Sequence, residues 1–136
     1  MLPLIIWNET IAIGIQSMDR QHHHWIDLMN ELYDAMRTGK TKAVIGRTLM
    51  GMLEYTRTHF VSEEKLLTTY GYPEYEEHEQ MHKDFIERIE ELRHRQKSDN
   101  DALTTEVMSI LKEWLVNHIQ KVDHQYVFLL KSKGVR

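Results

Sequence analysis

The 136 residues contain no cysteine. That absence removes thiolate catalysis, cysteine-ligated zinc, iron–sulfur clusters and disulfide staples, and it fits a reducing compartment. Proline is scarce, with only Pro3 and Pro73, so little interrupts a long helix between them. Basic charge is not in excess. The 17 Lys and Arg against 21 Asp and Glu leave a net charge of -4, which gives no electrostatic footprint for nucleic acid. No apolar run approaches the roughly 20 residues that cross a bilayer. The N-terminal MLPLIIW lacks the basic flank and small-residue cleavage site of a signal peptide. A cytoplasmic chain with no nucleic-acid partner and no membrane contact is expected, and its length suits one domain, residues 1–136.

What the sequence does have is nine histidines. Apolar residues recur at the helical period in four segments, near 18–37, 41–70, 74–97 and 101–132. Ser17 stands where an N-cap belongs, Gly39 follows the first segment, Gly71 and Pro73 follow the second, and the fourth begins in SDND. Residues 1–16, with Trp7 and the alternating IAIGI, read as an extended arm. Short links between long helices predict an all-α fold, an antiparallel up-down-up-down four-helix bundle.

The apolar stripes of that bundle are contaminated with ionisable groups. The second helix presents Ile45, Leu49, Met52, Thr56, His59, Glu63, Leu66 and Tyr70; the third presents His78, His82, Phe85, Ile89 and Leu92. The first gives His22, Ile26, Met29, Tyr33 and Met36, and the fourth gives Val107, Leu111, Trp114 and His118. At about 1.5 Å of rise per residue, His22 and His59 lie about 23 and 27 Å from their shared turn. His59 and His82 lie about 17 and 12 Å from theirs, and His82 and His118 about 23 and 26 Å. All four helices bring a histidine to one level of the core. Buried imidazoles and carboxylates need partners, and a shared layer of them predicts a metal site.

The inward set is His22, His59, Glu63, His78, His82, His118 and Asp123. The pairs in HFVSE and HEQMH are four residues apart, on one helix face. The His118 to Asp123 gap of five turns an ideal helix by about 500°, leaving the two about 140° out of phase. A widened, π-type turn near Gln120 to Val122 is expected to correct it. Five histidines and two carboxylates exceed the four ligands of a tetrahedral zinc. They suit two octahedral ions, with both carboxylates and a solvent atom bridging and one coordination position open. A nitrogen-rich set suits iron, copper or zinc, and carboxylate bridges favour a pair of irons, with manganese and zinc left open by ligand type alone.

This pattern resembles hemerythrin, the bacterial hemerythrins in particular. It rests on His22 in DRQHHHW, His59 and Glu63 in HFVSE, His78 and His82 in HEQMH, and His118 and Asp123 in WLVNHIQKVD, with Trp7 in IWNE and the loop GYPEYEEH in support. The resemblance implies a non-haem di-iron centre with an oxo or hydroxo bridge. His78, His82 and His118 would hold one iron, His22 and His59 the other, and Glu63 and Asp123 would bridge them. O2 would bind end-on at the iron with two histidines, and small anions such as azide would compete. Trp25, Phe60, Trp114, Leu115 and Ile119 would wall the O2 pocket. Trp25 departs from the family, which usually has an aliphatic residue there; the indole would narrow the pocket or swing aside.

Other features read more simply. His23, His24, His94 and His124 have charged neighbours or the wrong phase and are expected at the surface. The Glu79-x-x-His82 and Glu91-x-x-His94 matches both lie on the third helix, whereas a carboxylate-rich oxygenase site needs the motif on two helices. The resemblance implies reversible O2 binding for storage or delivery, and not an enzyme. One alternative is an O2- or redox-sensing terminal domain fused to a chemotaxis signalling protein. Another is an enzyme that reduces peroxide or nitric oxide.

Overall fold

The computed structural model describes residues 5–96 and 101–136. The first four residues of the arm, the predicted end of the third helix at Lys97 and the predicted start of the fourth at Ser98 to Asn100 lie outside the described residues. Four helical rods account for most of the rest. α1 is Gln16–Thr38. α2 runs in three parts, Thr41–Tyr55, a π-helical turn Thr56–Phe60 and Val61–Thr69. α3 is Tyr75–Arg95. α4 has four parts, Asp101–Glu113, a π-helical stretch Trp114–Val122, a 3-10 turn Asp123–Tyr126 and a last turn Val127–Ser132. Each rod packs on its chain neighbours and α4 closes back on α1, the ring of contacts of an up-down-up-down bundle. Among the described residues no strand forms, and no helix is long and apolar enough to cross a membrane.

Gly39 ends α1 as expected, in a left-handed conformation at φ +70° that glycine adopts without strain. Ser17 is not the cap of α1. The cap position falls on Ile15, whose side chain has no polar atom to offer the first amides. The first turn instead points its carboxylate backwards: Asp19 accepts the amides of Ile13 and Gly14, at 2.8 and 3.0 Å. This fastens the arm to the bundle. Along it Ile11, Ile13 and Ile15 are buried while Gly14 is exposed, so the alternation reads correctly. Farther out, the Asn30 amide grips both backbone groups of Ile5 at 2.9 Å.

The stripes of α3 and α4 are buried at every position that the period indicated. Those of α1 and α2 are corrected at their far ends. Tyr33 is half-buried and Met36 exposed, while Leu28, Leu32 and Ala35 are core. Here the buried face of α1 turns toward α2, where Leu28 seats so closely on Gly51 that a Cβ would collide with it. On α2, Leu66 and Tyr70 are half-buried and Leu67 is core. Among the described residues the buried apolar side chains form two clusters. The larger holds Trp25, Met29, Met52, Phe60, Phe85 and Trp114 with their neighbours, and the smaller holds Ile13, Ile15, Met18, Leu67, Tyr72, Tyr126 and Leu130. The histidine layer lies on chain positions that link the two.

Candidate metal centre

All seven predicted ligands are brought together, and each is buried to 4% exposure or less. Two groups of donors converge, Glu63 with His78, His82 and His118, and Glu63 with His22, His59 and Asp123; within each, the donor atoms lie within 4.8 Å of one another. The carboxylates divide their oxygens between the groups. Glu63 Oε1 meets His78 Nε2 and lies 3.0 Å from His82 Nε2, while its Oε2 lies 3.1 Å from His59 Nε2. Asp123 Oδ1 lies 3.2 Å from His118 Nε2 and 3.3 Å from His78 Nε2, and its Oδ2 lies 3.1 Å from His22 Nε2. Every imidazole turns Nε2 inward.

These contacts are close without being hydrogen bonds in most cases. Both oxygens of Asp123 and the Nε2 atoms of His82 and His118 have no hydrogen-bond partner, although each has an ionisable neighbour within 3.3 Å. Lone pairs aimed at a common point rather than at each other are what metal ligation requires. The donor set therefore fits two metal ions, one facing three histidines and one facing two, with both carboxylates shared.

Local backbone geometry delivers Asp123. The widened stretch Trp114–Val122 ends where the Asp123 N–H donates to the carbonyl of His118, five residues back. A five-residue hydrogen bond places the two side chains over one another, so the widening predicted near Gln120 to Val122 is present and longer than expected. The second widened turn, Thr56–Phe60, carries His59 and was not anticipated. Nothing in a four-residue spacing from His59 to Glu63 signals it.

Electrostatics follows from burial and mutual contact. Burial and the charge of Glu63 push the Asp123 carboxyl up, but the imidazoles of His118 and His22 hold it well below the usual carboxylate range. Burial acts against Glu63 as well, and His59, His78 and His82 overcome it, leaving that carboxyl also low. Desolvation lowers His59 below 6.5. Desolvation opposes a charge on His78 too, yet the carboxylates of Asp123 and Glu63 close beside its Nε2 raise it to about 10.

A second ring of side chains orients the first. His59 Nδ1–H donates to the Gln21 amide oxygen at 2.6 Å, His82 Nδ1–H to the Glu64 carboxylate at 2.8 Å, and the Tyr126 hydroxyl to Glu63 Oε2 at 2.7 Å. Sequence reasoning missed all three, though Glu64 adjoins Glu63 and Gln21 adjoins His22. Rings cover the centre on the side of the larger cluster: Phe60 stacks on His82 at 3.7 Å and Trp114 on His118 at 3.8 Å. Trp25, Phe60, Trp114, Leu115 and Ile119 are all buried in that cluster. The Trp25 indole N–H donates to the Leu111 carbonyl at 3.1 Å, which ties the large ring to α4. A groove of about 360 Å³ between α3 and α4 has Met81, Phe85, Trp114 and His118 in its lining. His23, His24 and His94 are exposed as expected, His23 stacking on Trp7, whereas His124 is half-buried.

Comparison with known proteins agrees with this geometry. Residues 13–130 match the hemerythrin HHE cation binding domain. A bacteriohemerythrin of Stenotrophomonas maltophilia is 34% identical over 131 residues, 96% of this chain and 84% of that protein. One from Methylococcus capsulatus is 31% identical, covering 92% of this chain and 95% of the other. A crystal structure of a hemerythrin variant superposes with a TM-score of 0.78 at 28% identity, over 95% of this chain and 98% of that one. The same four-helix frame, matched along nearly its whole length, places the chain in the hemerythrin family.

Proposed function

We propose that this chain holds two non-haem iron ions and binds O2 reversibly beside His22 and His59. The observation that carries the reading is the inequality of the two donor groups: three imidazoles on one side of the shared carboxylates, two on the other. His78, His82 and His118 would hold one iron, His22 and His59 the second, and Glu63 and Asp123 both. Two iron ions joined by an oxo or hydroxo bridge would supply the exchangeable position and the electrons for O2. The residues around them keep that chemistry reversible. Phe60, Trp114, Leu115 and Ile119 exclude water, and so restrict the protons that would carry reduced oxygen away. Gln21 and Glu64 fix the tautomers of His59 and His82, leaving each Nε2 free to ligate. Binding rather than turnover is the proposed role.

The test is metal analysis of protein produced with ample iron, followed by O2 titration of the reduced form and release under vacuum. Two irons per chain and a spectrum that returns on release are expected. One metal per chain, or uptake of O2 that cannot be reversed, sinks the proposal. Replacing Glu63 with Ala removes a shared ligand and is expected to lose iron while helicity persists. A sensing role is the second reading, favoured by the clasp of Asp19 and Asn30 on the arm, on either side of His22. It predicts that amide exchange in residues 5–15 changes when ligand binds.

A further inference from the structure

The rings over the centre carry two polar atoms that their surroundings leave unused. Tyr55 is 1% exposed and Trp114 7%, and neither the phenol hydroxyl nor the indole N–H has a hydrogen-bond partner among the described residues. A buried unpaired hydroxyl destabilises a fold, and phenylalanine would fill the same space without it. Trp25 differs, since its N–H is already satisfied by Leu111.

Ring contacts place Tyr55 beside the two-histidine group. Its ring stacks on His59, with centroids 4.8 Å apart and an interplanar angle of 25°. Trp25 lies against it at 4.7 Å and Phe60 edge-on at 5.8 Å. The hydroxyl end approaches the Trp114 indole N–H, which can only donate toward the phenol oxygen and so leaves the phenol's own proton without an acceptor; that indole lies flat on His118. The phenol thus reaches from the His59 wall to the ring that covers His118, across the side where the proposed exchangeable position lies. A phenol holds its proton up to about pH 10. It can therefore donate a proton to a hydrogen bond at any ordinary pH.

We infer that the Tyr55 hydroxyl donates a hydrogen bond to the ligand bound beside His22 and His59, which makes Tyr55 a determinant of ligand specificity. The inference rests on the proposed di-iron function. Such a donor favours anions and ligands that gain negative charge on binding, and gives little to weak acceptors such as carbon monoxide. No bond is made or broken in this role, and the proton stays on the phenol.

The experiment uses azide as probe on the full-length diferric protein, comparing the parent with Tyr55→Phe and Trp114→Phe. Azide affinity is measured by absorption titration, and the azide stretch is recorded in H2O and D2O. Tyr55→Phe is expected to keep two irons and the parent's unfolding temperature or better, to bind azide at least about tenfold more weakly, and to lose the D2O shift. Trp114→Phe is expected to retain that shift. Equal affinity and an unchanged shift in Tyr55→Phe overturn the inference, and so does loss of iron, which makes the phenol part of the scaffold. If the parent holds two irons and takes up azide, these failures leave the di-iron reading standing. A parent with fewer irons, or with no azide uptake, overturns both.

Discussion

His59 and His82 are held from behind by different chemistry, a neutral amide at Gln21 and a carboxylate at Glu64. A carboxylate behind an imidazole makes the opposite nitrogen a stronger donor. Glu64→Gln keeps the acceptor and removes the charge, so it is expected to weaken iron retention about tenfold, read by chelator competition; parent-like retention would show that the contact only orients the ring. Ile119 is fully buried in the larger cluster, and truncation to Ala is expected to cost the metal-free chain about 2–4 kcal/mol in urea unfolding. If the same change also speeds azide entry to the diferric protein, Ile119 lines the pocket. Parent-like azide kinetics would mark it as core alone. The seven residues of the buried polar layer were legible because their polarity contradicts their phase on an apolar stripe. Tyr55 was not, because a tyrosine at a core position contradicts nothing. Yet Tyr55, His59 and Glu63 follow one another at four-residue steps down one face.

Among the helices, α3 was readable throughout, since every member of its stripe is separated from the next by three or four residues and nothing disturbs the winding. α4 announced its own distortion through the five-residue gap before Asp123. The matching distortion in α2 left no trace in the ligand spacing, and its effect shows only beyond the site, where Leu67 rather than Leu66 faces inward. A widened turn amounts to one extra residue, inserted at the expense of regular hydrogen bonding. Deleting exposed Lys121 should therefore let α4 relax to ordinary winding. The expected result is a metal-free chain that melts at a higher temperature yet loads fewer than two irons, because Asp123 then stands at a different distance from His118. Unchanged iron content in a deletion variant that is regular α-helix would show that the widening serves packing rather than ligation. Caps were the least legible element: Ser17 does not cap α1, whose cap position falls on Ile15, and the first-turn carboxylate of Asp19 serves the arm instead.

For the whole molecule, the buried ionisable layer ties stability to pH differently with and without metal. In the metal-free chain His78 is raised from 6.5 to about 10, so its contribution is complete below pH 6.5 and is lost as pH rises toward 10. His59 is lowered from 6.5, so protonation opposes folding and stability falls as pH drops below 6.5. The lowered carboxyls of Glu63 and Asp123 add a further loss once pH falls below their ordinary values of 4.5 and 3.8. The metal-free chain is thus expected to be most stable near pH 6.5. With iron bound every histidine ligand must be neutral, so the loss between pH 6.5 and 10 should disappear. Calorimetry of both forms across that range checks the pair of curves, and parallel curves would contradict the ligand assignment. The layer has one further consequence, which is mechanical. Its members run from residue 22 to residue 123, and a metal pair that ties them acts as a cross-link in a chain that has no cysteine to make one. The enclosed stretch has a contour of roughly 350 Å at about 3.5 Å per residue. A molecule pulled from its two termini should yield only its short ends while iron is bound. The whole enclosed length should follow in a single step when the iron is released.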